Sequence, residues 1–169
     1  MVDVDSLAVR KCRNNVMAYL TDGYAVYVAA SSLGGFGLYA GEIIPTDGII
    51  IEYIGEVIDD EEYSRRKALL EGQNSYFAHV GKQFIDASCA GNLSRFGNHS
   101  CKGFENCRMD KIGVSRKRKG LSDTVDLHVV LIATKVIHIG QEITYVYAPD
   151  FLDYMNKSCA CPKHIQICA

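Results

Sequence analysis

The chain has 169 residues, 48% of them apolar, a formal net charge of −2 and a mean hydropathy near zero. That size suits one domain around its own core, and no apolar run is long enough to cross a bilayer. The weak negative charge makes nucleic acid an unobvious partner, although a local acidic groove could still hold a basic peptide. The opening stretch MVDVDSLAVRKC puts acids before bases with no apolar run behind them, unlike a secretory signal. Seven cysteines, an odd number, argue against a disulfide framework and for a reducing compartment. Cys159, Cys161 and Cys168 crowd the last eleven residues, and crowding of that kind points to metal ligation.

In chain order, β-branched and aromatic runs separated by glycines predict strands over 24–30, 48–54, 75–80, 83–86 and 127–134. The run GIIIEYI at 48–54 is almost continuously apolar, which predicts burial on both faces. Between the first two strands lies Gly34-Gly35-Phe36-Gly37-Leu38. Such glycines either make a β-turn or let the backbone approach a ligand, and the dinucleotide fingerprint is not matched because no helix is expected behind them.

One helix is predicted after Asp59 and Asp60, over EEYSRRKALL, with acids in its first turn and Gly72 as its stop. Glu61 with Arg65 and Glu62 with Arg66 are spaced as ion pairs on a solvated face. A basic loop is expected between Met109 and Asp126, with Arg116, Lys117, Arg118 and Lys119 in a row. That run is a solvated hairpin tip, or else a nuclear-import signal or a contact to nucleosomal DNA.

The segment GNLSRFGNHSC, 91–101, packs Asn92, Ser94, Arg95, Asn98, His99 and Ser100 around Phe96. Hydrogen-bonding side chains at that density suit recognition of a polar ligand, although His99 taken singly could be a core histidine. In GQEITYVY at 140–147, Tyr145 and Tyr147 alternate by two and share one side of an extended chain. They make a cross-strand pair or, with Tyr53 and Tyr76, the wall of a channel that would hold a lysine stem.

These blocks, in this order, resemble the SET domain of protein lysine methyltransferases from about Tyr24 to the C-terminus. Gly35-Phe36-Gly37 resembles that family's first cofactor loop, and Tyr53-Ile54-Gly55-Glu56 its tyrosine-x-glycine-glutamate strand. Arg95-Phe96-Gly97-Asn98-His99-Ser100-Cys101 resembles its asparagine-histidine signature, and Glu142-Ile143-Thr144-Tyr145-Val146-Tyr147 its terminal block. Gly97 stands where isoleucine is common, Val146 where aspartate is frequent and Gln141 where glutamate is; Lys102 to Glu105 lengthen the stretch before Asn106-Cys107. Lys11 to Asn15 faintly resemble the end of the module before SET in histone H3 lysine-thirty-six methyltransferases.

The resemblance implies a mainly β fold with a few short helices, small curved sheets and a C-terminal pseudoknot. It divides the chain into an extension over 1–23, the SET domain over 24–149 and a cysteine tail over 150–169. It implies S-adenosylmethionine held by Gly35, Phe36, Gly37, Tyr76, Arg95, Asn98, His99 and Tyr147. Tyr147 would supply the catalytic hydroxyl, with Tyr145 and Tyr76 beside it. Tyrosine at 145 implies mono- or dimethylation. Cys101, Cys159, Cys161 and Cys168 would bind structural zinc, with His164 able to replace one thiolate. The implied substrate is a histone H3 tail or another basic protein in the nucleus, with nucleosomal DNA as a further contact through 116–119 and no membrane. Other readings are a methyltransferase for a non-histone protein, a catalytically weak peptide-binding module, and a zinc-stabilised structural protein.

Overall fold

The computed structural model describes residues 23–70, 76–116 and 124–147. Its elements are β1 (Val26–Ala30), β2 (Phe36–Ala40), β3 (Ile49–Glu52), β4 (Glu56–Ile58), α1 (Asp60–Leu69), β5 (Phe77–Val80), β6 (Gln83–Asp86), a 3-10 turn (Leu93–Phe96), β7 (Asn98–His99), β8 (Cys107–Arg116), β9 (Thr124–Ala133) and β10 (Thr144–Tyr145). They form four small sheets: a β1-β2 hairpin, β4-β6-β5, β3-β9-β8, and a parallel pair of β7 with β10. The mainly β expectation holds, and the predicted runs contain β1, β3, β5 and β6.

The stretch expected as a basic loop is mostly strand. β8 pairs with β9 from Cys107 opposite Ala133 to Arg116 opposite Thr124. Inward Cys107 and Met109 alternate with exposed Arg108 and Asp110, a period of two that charge-rich composition hides. Of the four-residue basic run, Lys117, Arg118 and Lys119 lie outside the described residues. Phe36 to Leu38 likewise belong to a strand, and the turn before them is made by Gly34 and Gly35, at φ 108° and 64°. Only glycine adopts those angles without steric cost.

Asp59 caps α1 by accepting from the Glu62 amide at 2.9 Å. The expected Gly72 stop lies outside the described residues. Glu62 pairs with Arg66 as its spacing predicts, and Arg65 also turns to Glu62, three residues back. These two guanidinium groups hold the Glu62 carboxyl at about 2. The helix buries no residue, yet its charged face is more than solvated. Arg66 reaches across to Asp86 on β6 at 2.6 Å and to Glu56 on β4 at 2.8 Å, which ties the helix to the sheet. The anchoring carboxylate is itself buried, and bidentate-capable arginine suits such a site better than lysine.

The main core gathers Leu38, Ile44, Ile50, Leu131, Ile137 and Ile143, and a second cluster gathers Tyr53, Ala78, Ile85 and Val129. Inside the run expected to be apolar on both faces, Glu52 is fully buried. Its Oε1 meets His128 Nδ1 at 2.7 Å, with His128 1% exposed. Breaking a buried pair costs far more than replacing it whole. His128→Leu is expected to lower unfolding free energy by about 3–5 kcal/mol. The Glu52→Leu/His128→Leu double variant is expected to regain most of that loss in urea denaturation.

Candidate functional site

The site forms where the C-terminal segment passes between two parts of the chain. On one edge Thr144 and Tyr145 pair in parallel with Asn98 and His99, and the Ser100 amide donates to Tyr145 O at 3.0 Å. On the other edge Asn106 closes the grip. Its Nδ2 donates to Glu142 O at 2.7 Å, its Oδ1 accepts from the Thr144 amide at 2.9 Å, and its own amide donates to Thr144 O at 3.1 Å. Ile143, fully buried, anchors the segment from below. The strand here is short: β10 is two residues, and Tyr147 lies just beyond it.

The 3-10 turn starts at Asn92, whose Oδ1 accepts from the Ser94 amide and whose Nδ2 donates to Glu52 O at 2.9 Å. That turn aims Arg95. The guanidinium stacks over Tyr76, 4.7 Å from the ring centroid, and beside Phe96 at 5.1 Å. Its Nη1 donates to Ala87 O and Ser88 O, while buried Nε has no partner among the described residues. Phe96 meets Phe36 and Tyr76 edge to face at 6.4 and 6.5 Å. Phe36 is 63% exposed beside the glycine turn. A Cβ built on Gly34 or Gly35 would meet nothing within 4 Å, so open space lies over that turn.

Asn98 Nδ2 donates to Phe36 O at 3.0 Å and to Glu142 Oε1 at 2.7 Å, which joins β7 to β2 and to the C-terminal segment. His99 Nδ1 accepts from the Tyr147 amide at 3.0 Å. The neutral ring then carries its proton on Nε2, which sits 3.9 Å from Cys101 Sγ.

Tyr145 and Tyr147 have ring centroids 5.0 Å apart, and His99 lies edge-on to Tyr147 at 5.3 Å. The Tyr147 hydroxyl donates to Gly97 O at 2.7 Å. Burial pushes the phenols of Tyr53, Tyr145 and Tyr147 well above their ordinary range; the nearby Tyr147 adds to it at Tyr53 and Tyr145, while at Tyr147 the Tyr145 hydroxyl works against it. All three are neutral near pH 7 and can donate or accept hydrogen bonds without carrying charge. Gly97 is required where it stands: a Cβ there would meet the Tyr145 ring at 2.9 Å.

The structure thus brings Gly35, Phe36, Gly37, Tyr76, Arg95, Asn98, His99, Tyr145 and Tyr147 to one side of the molecule. Of the expected metal ligands only Cys101, half-buried, is described; Cys159, Cys161, Cys168 and the alternative His164 lie outside the described residues. Among the described residues no group of three candidate ligands comes together. Cys107 is buried with its thiol pushed up to about 12, so it behaves as a core residue. Sequence reasoning passed over Glu142 and Asn106 as site residues. Their spacing carries no signal, because each acts on parts of the chain distant in sequence.

Residues 35–148 match the family described as the SET domain. The chain is 36% identical over 140 residues to histone-lysine N-methyltransferase trr of Drosophila melanogaster, covering 80% of this chain and 5% of that protein. It is 34% identical over 140 residues to histone-lysine N-methyltransferase 2D of Homo sapiens, covering 80% of the chain and 2% of that protein. A histone-lysine N-methyltransferase of Debaryomyces hansenii, named as H3 lysine-36 specific, is 36% identical over 140 residues, 80% of the chain and 18% of that protein. The chain therefore spans between 2% and 18% of the length of these three relatives.

The raised phenols set a pH dependence. A tyrosine whose folded pKa lies above its unfolded value near 10 contributes stability that is fully present below pH 10 and is lost as the pH rises through the folded value. Tyrosine ionisation is followed by absorbance at 295 nm. The phenols of Tyr53, Tyr145 and Tyr147 are expected to ionise only together with loss of near-ultraviolet circular dichroism. Full titration of all tyrosines with the near-ultraviolet signal intact would contradict their burial.

Proposed function

The chain belongs to the SET-domain family, and from that membership we propose that it transfers methyl groups from S-adenosylmethionine to a lysine side chain, with a histone H3 tail as substrate. The observation that carries the reading is the convergence of Arg95, Asn98 and His99 with the paired Tyr145 and Tyr147 rings on one small region. A peptide scaffold has no chemical need for that set. Relatives named for H3 lysine-36 and others named only as histone-lysine methyltransferases match at similar identity, so lysine 36 enters here through the resemblance of residues 11–15.

The donor set fits the cofactor. Arg95, Tyr76, Phe36 and Phe96 offer flat apolar and cationic faces for a purine, and the open glycine turn at 34–35 lets main chain approach it. Asn98, Gly37 and the main chain of His99 would hold the amino-acid end. When bound, S-adenosylmethionine supplies an electrophilic methyl on a positively charged sulfur.

The chain's own residues must do two things to the lysine. An ammonium with a pKa of ~10.4 is protonated at neutral pH and has no lone pair for attack. Walls lined by Tyr53, Tyr76, Tyr145 and Tyr147, with burial keeping Tyr53, Tyr145 and Tyr147 neutral, would give that ammonium no counter-anion while removing water from it, and both effects favour the free amine. The same walls align the amine, and orientation alone can contribute about 7–11 kcal/mol. The hydroxyl of Tyr145 narrows the space beside the amine, which favours mono- or dimethylation.

Cys101 with Cys159, Cys161 and Cys168, or with His164 in place of one of them, would form a tetrahedral structural zinc site. The fit lies in the Cys101 environment: His99 Nε2 lies 3.9 Å from its sulfur, where it could donate to a ligating thiolate. Nuclear residence and a nucleosomal DNA contact through the basic run at 116–119 accompany the histone reading.

Labelled methyl from S-adenosylmethionine is expected to reach a lysine of histone H3 in nucleosomes or as free histone. Tyr147→Phe, folded normally, is expected to slow transfer by about 100-fold or more. Undiminished transfer by that variant would remove Tyr147 from the chemistry. No transfer to any histone, with transfer to another protein from cell extract, would redirect the substrate. Freshly reduced protein is expected to contain one zinc per chain by elemental analysis, and metal-free protein of full activity would end the zinc assignment.

A further inference from the structure

We propose that Glu142 is a positioning residue, one that fixes the orientation of the Asn98 amide and latches the β1–β2 turn to the C-terminal segment. The proposal rests, for its effect on the cofactor, on the S-adenosylmethionine reading above. Its carboxylate gathers three separate parts of the chain. Oε1 accepts from Asn98 Nδ2 at 2.7 Å and from the Ser31 hydroxyl at 2.8 Å, while Oε2 accepts from Ser31 at 3.0 Å and from the Tyr39 hydroxyl at 3.3 Å. Ser31 in turn accepts from the Leu33 amide at 3.0 Å and so shapes the turn that presents Gly34 and Gly35.

The orientation of Asn98 follows from its two partners. Phe36 O and the Glu142 carboxylate are both acceptors, so the group facing them must be NH2. The amide oxygen is thereby turned away from both, free to accept from a ligand N–H. Without the carboxylate, Phe36 O alone would hold the amide, and the opposite flip would become accessible. A carboxylate acceptor is also the stronger choice, since charge-assisted hydrogen bonds are about twice as strong as neutral ones. Gly37 belongs to the same arrangement: a Cβ there would collide with the Glu142 carboxylate and crowd Asn98 Nδ2 at 3.2 Å. Its lack of a side chain is what lets the latch close.

The test uses the full chain and two readouts. In the parent protein the Asn98 side-chain amide protons are expected to exchange slowly with solvent by NMR. In Glu142→Ala they are expected to exchange as in a free asparagine. Glu142→Gln keeps an oxygen for Asn98 and can donate to the Ser31 hydroxyl, so slow exchange should survive. In calorimetric titration with S-adenosylmethionine, Glu142→Ala should bind about 10–100-fold more weakly, the scale of a lost hydrogen bond to a charged group. Glu142→Gln should stay within about threefold of the parent, because its amide can replace the acceptor and reverse one hydroxyl bond. Gly37→Ala should weaken binding as Glu142→Ala does, and the double variant should be no worse than either. An Asn98 amide that exchanges freely in the parent would overturn the proposal. So would a folded Glu142→Ala with unchanged affinity. A parent chain that binds no S-adenosylmethionine while its Asn98 amide stays locked through Glu142 would refute the functional reading alone and uphold the positioning.

Discussion

The two-residue parallel ladder between Asn98–His99 and Thr144–Tyr145 is the contact on which the rest of the site depends. So short a ladder cannot offset the entropy of closing a long loop by its own hydrogen bonds. It holds because the flanking groups are all engaged: Asn106 grips the opposite edge, Ile143 is buried beneath, and Glu142 anchors the entry. Once the segment is seated, the His99 imidazole takes the Tyr147 amide and Tyr147 reaches Gly97 O. The side chains of β7 and the Tyr147 hydroxyl are thus placed by the same few bonds. Damage to either side therefore displaces both sets of side chains.

Charge is arranged in layers around that contact. Nearest the tyrosines no ionised group is needed, and burial keeps the phenols protonated. One layer out, the Arg95 cation lies over an aromatic ring and the Glu142 anion is held by two hydroxyls and an amide. Such an arrangement suits a positively charged cosubstrate beside a lysine that must become neutral, because it disfavours a second cation without offering a base.

Much of this was legible in the sequence, and the failures have physical causes. The glycine turn, the 91–101 segment and the paired tyrosines stood out because each carries its signal locally, in spacing or composition. β8 was read as a loop because Arg108, Asp110 and Lys111 obscured a true alternation. Burial on both faces was expected of β3, but Ile50 and Glu52 are buried while Ile49 and Ile51 are half-buried, and the buried Glu52 finds its partner His128 on β9, adjacent in the sheet but far along the chain. Asn106 and Glu142 were named only as letters within motifs; their roles exist through pairing across the fold, which no local window contains. The helix ion pairs were half right, since Arg65 chose the nearer Glu62 and Arg66 took a tertiary partner as well.

The central claim is that the surface between the 31–37 turn and residues 95–99 seats S-adenosylmethionine, with its sulfur directed toward Tyr147. A crystal structure of the chain grown with S-adenosylhomocysteine tests this most directly. The account predicts density for the purine against Phe36, Phe96 and Tyr76, with the amino-acid end beside Asn98 and the sulfur nearest Tyr147. Well-ordered ligand on any other surface, or a purine that leaves Phe36 uncovered, would contradict it.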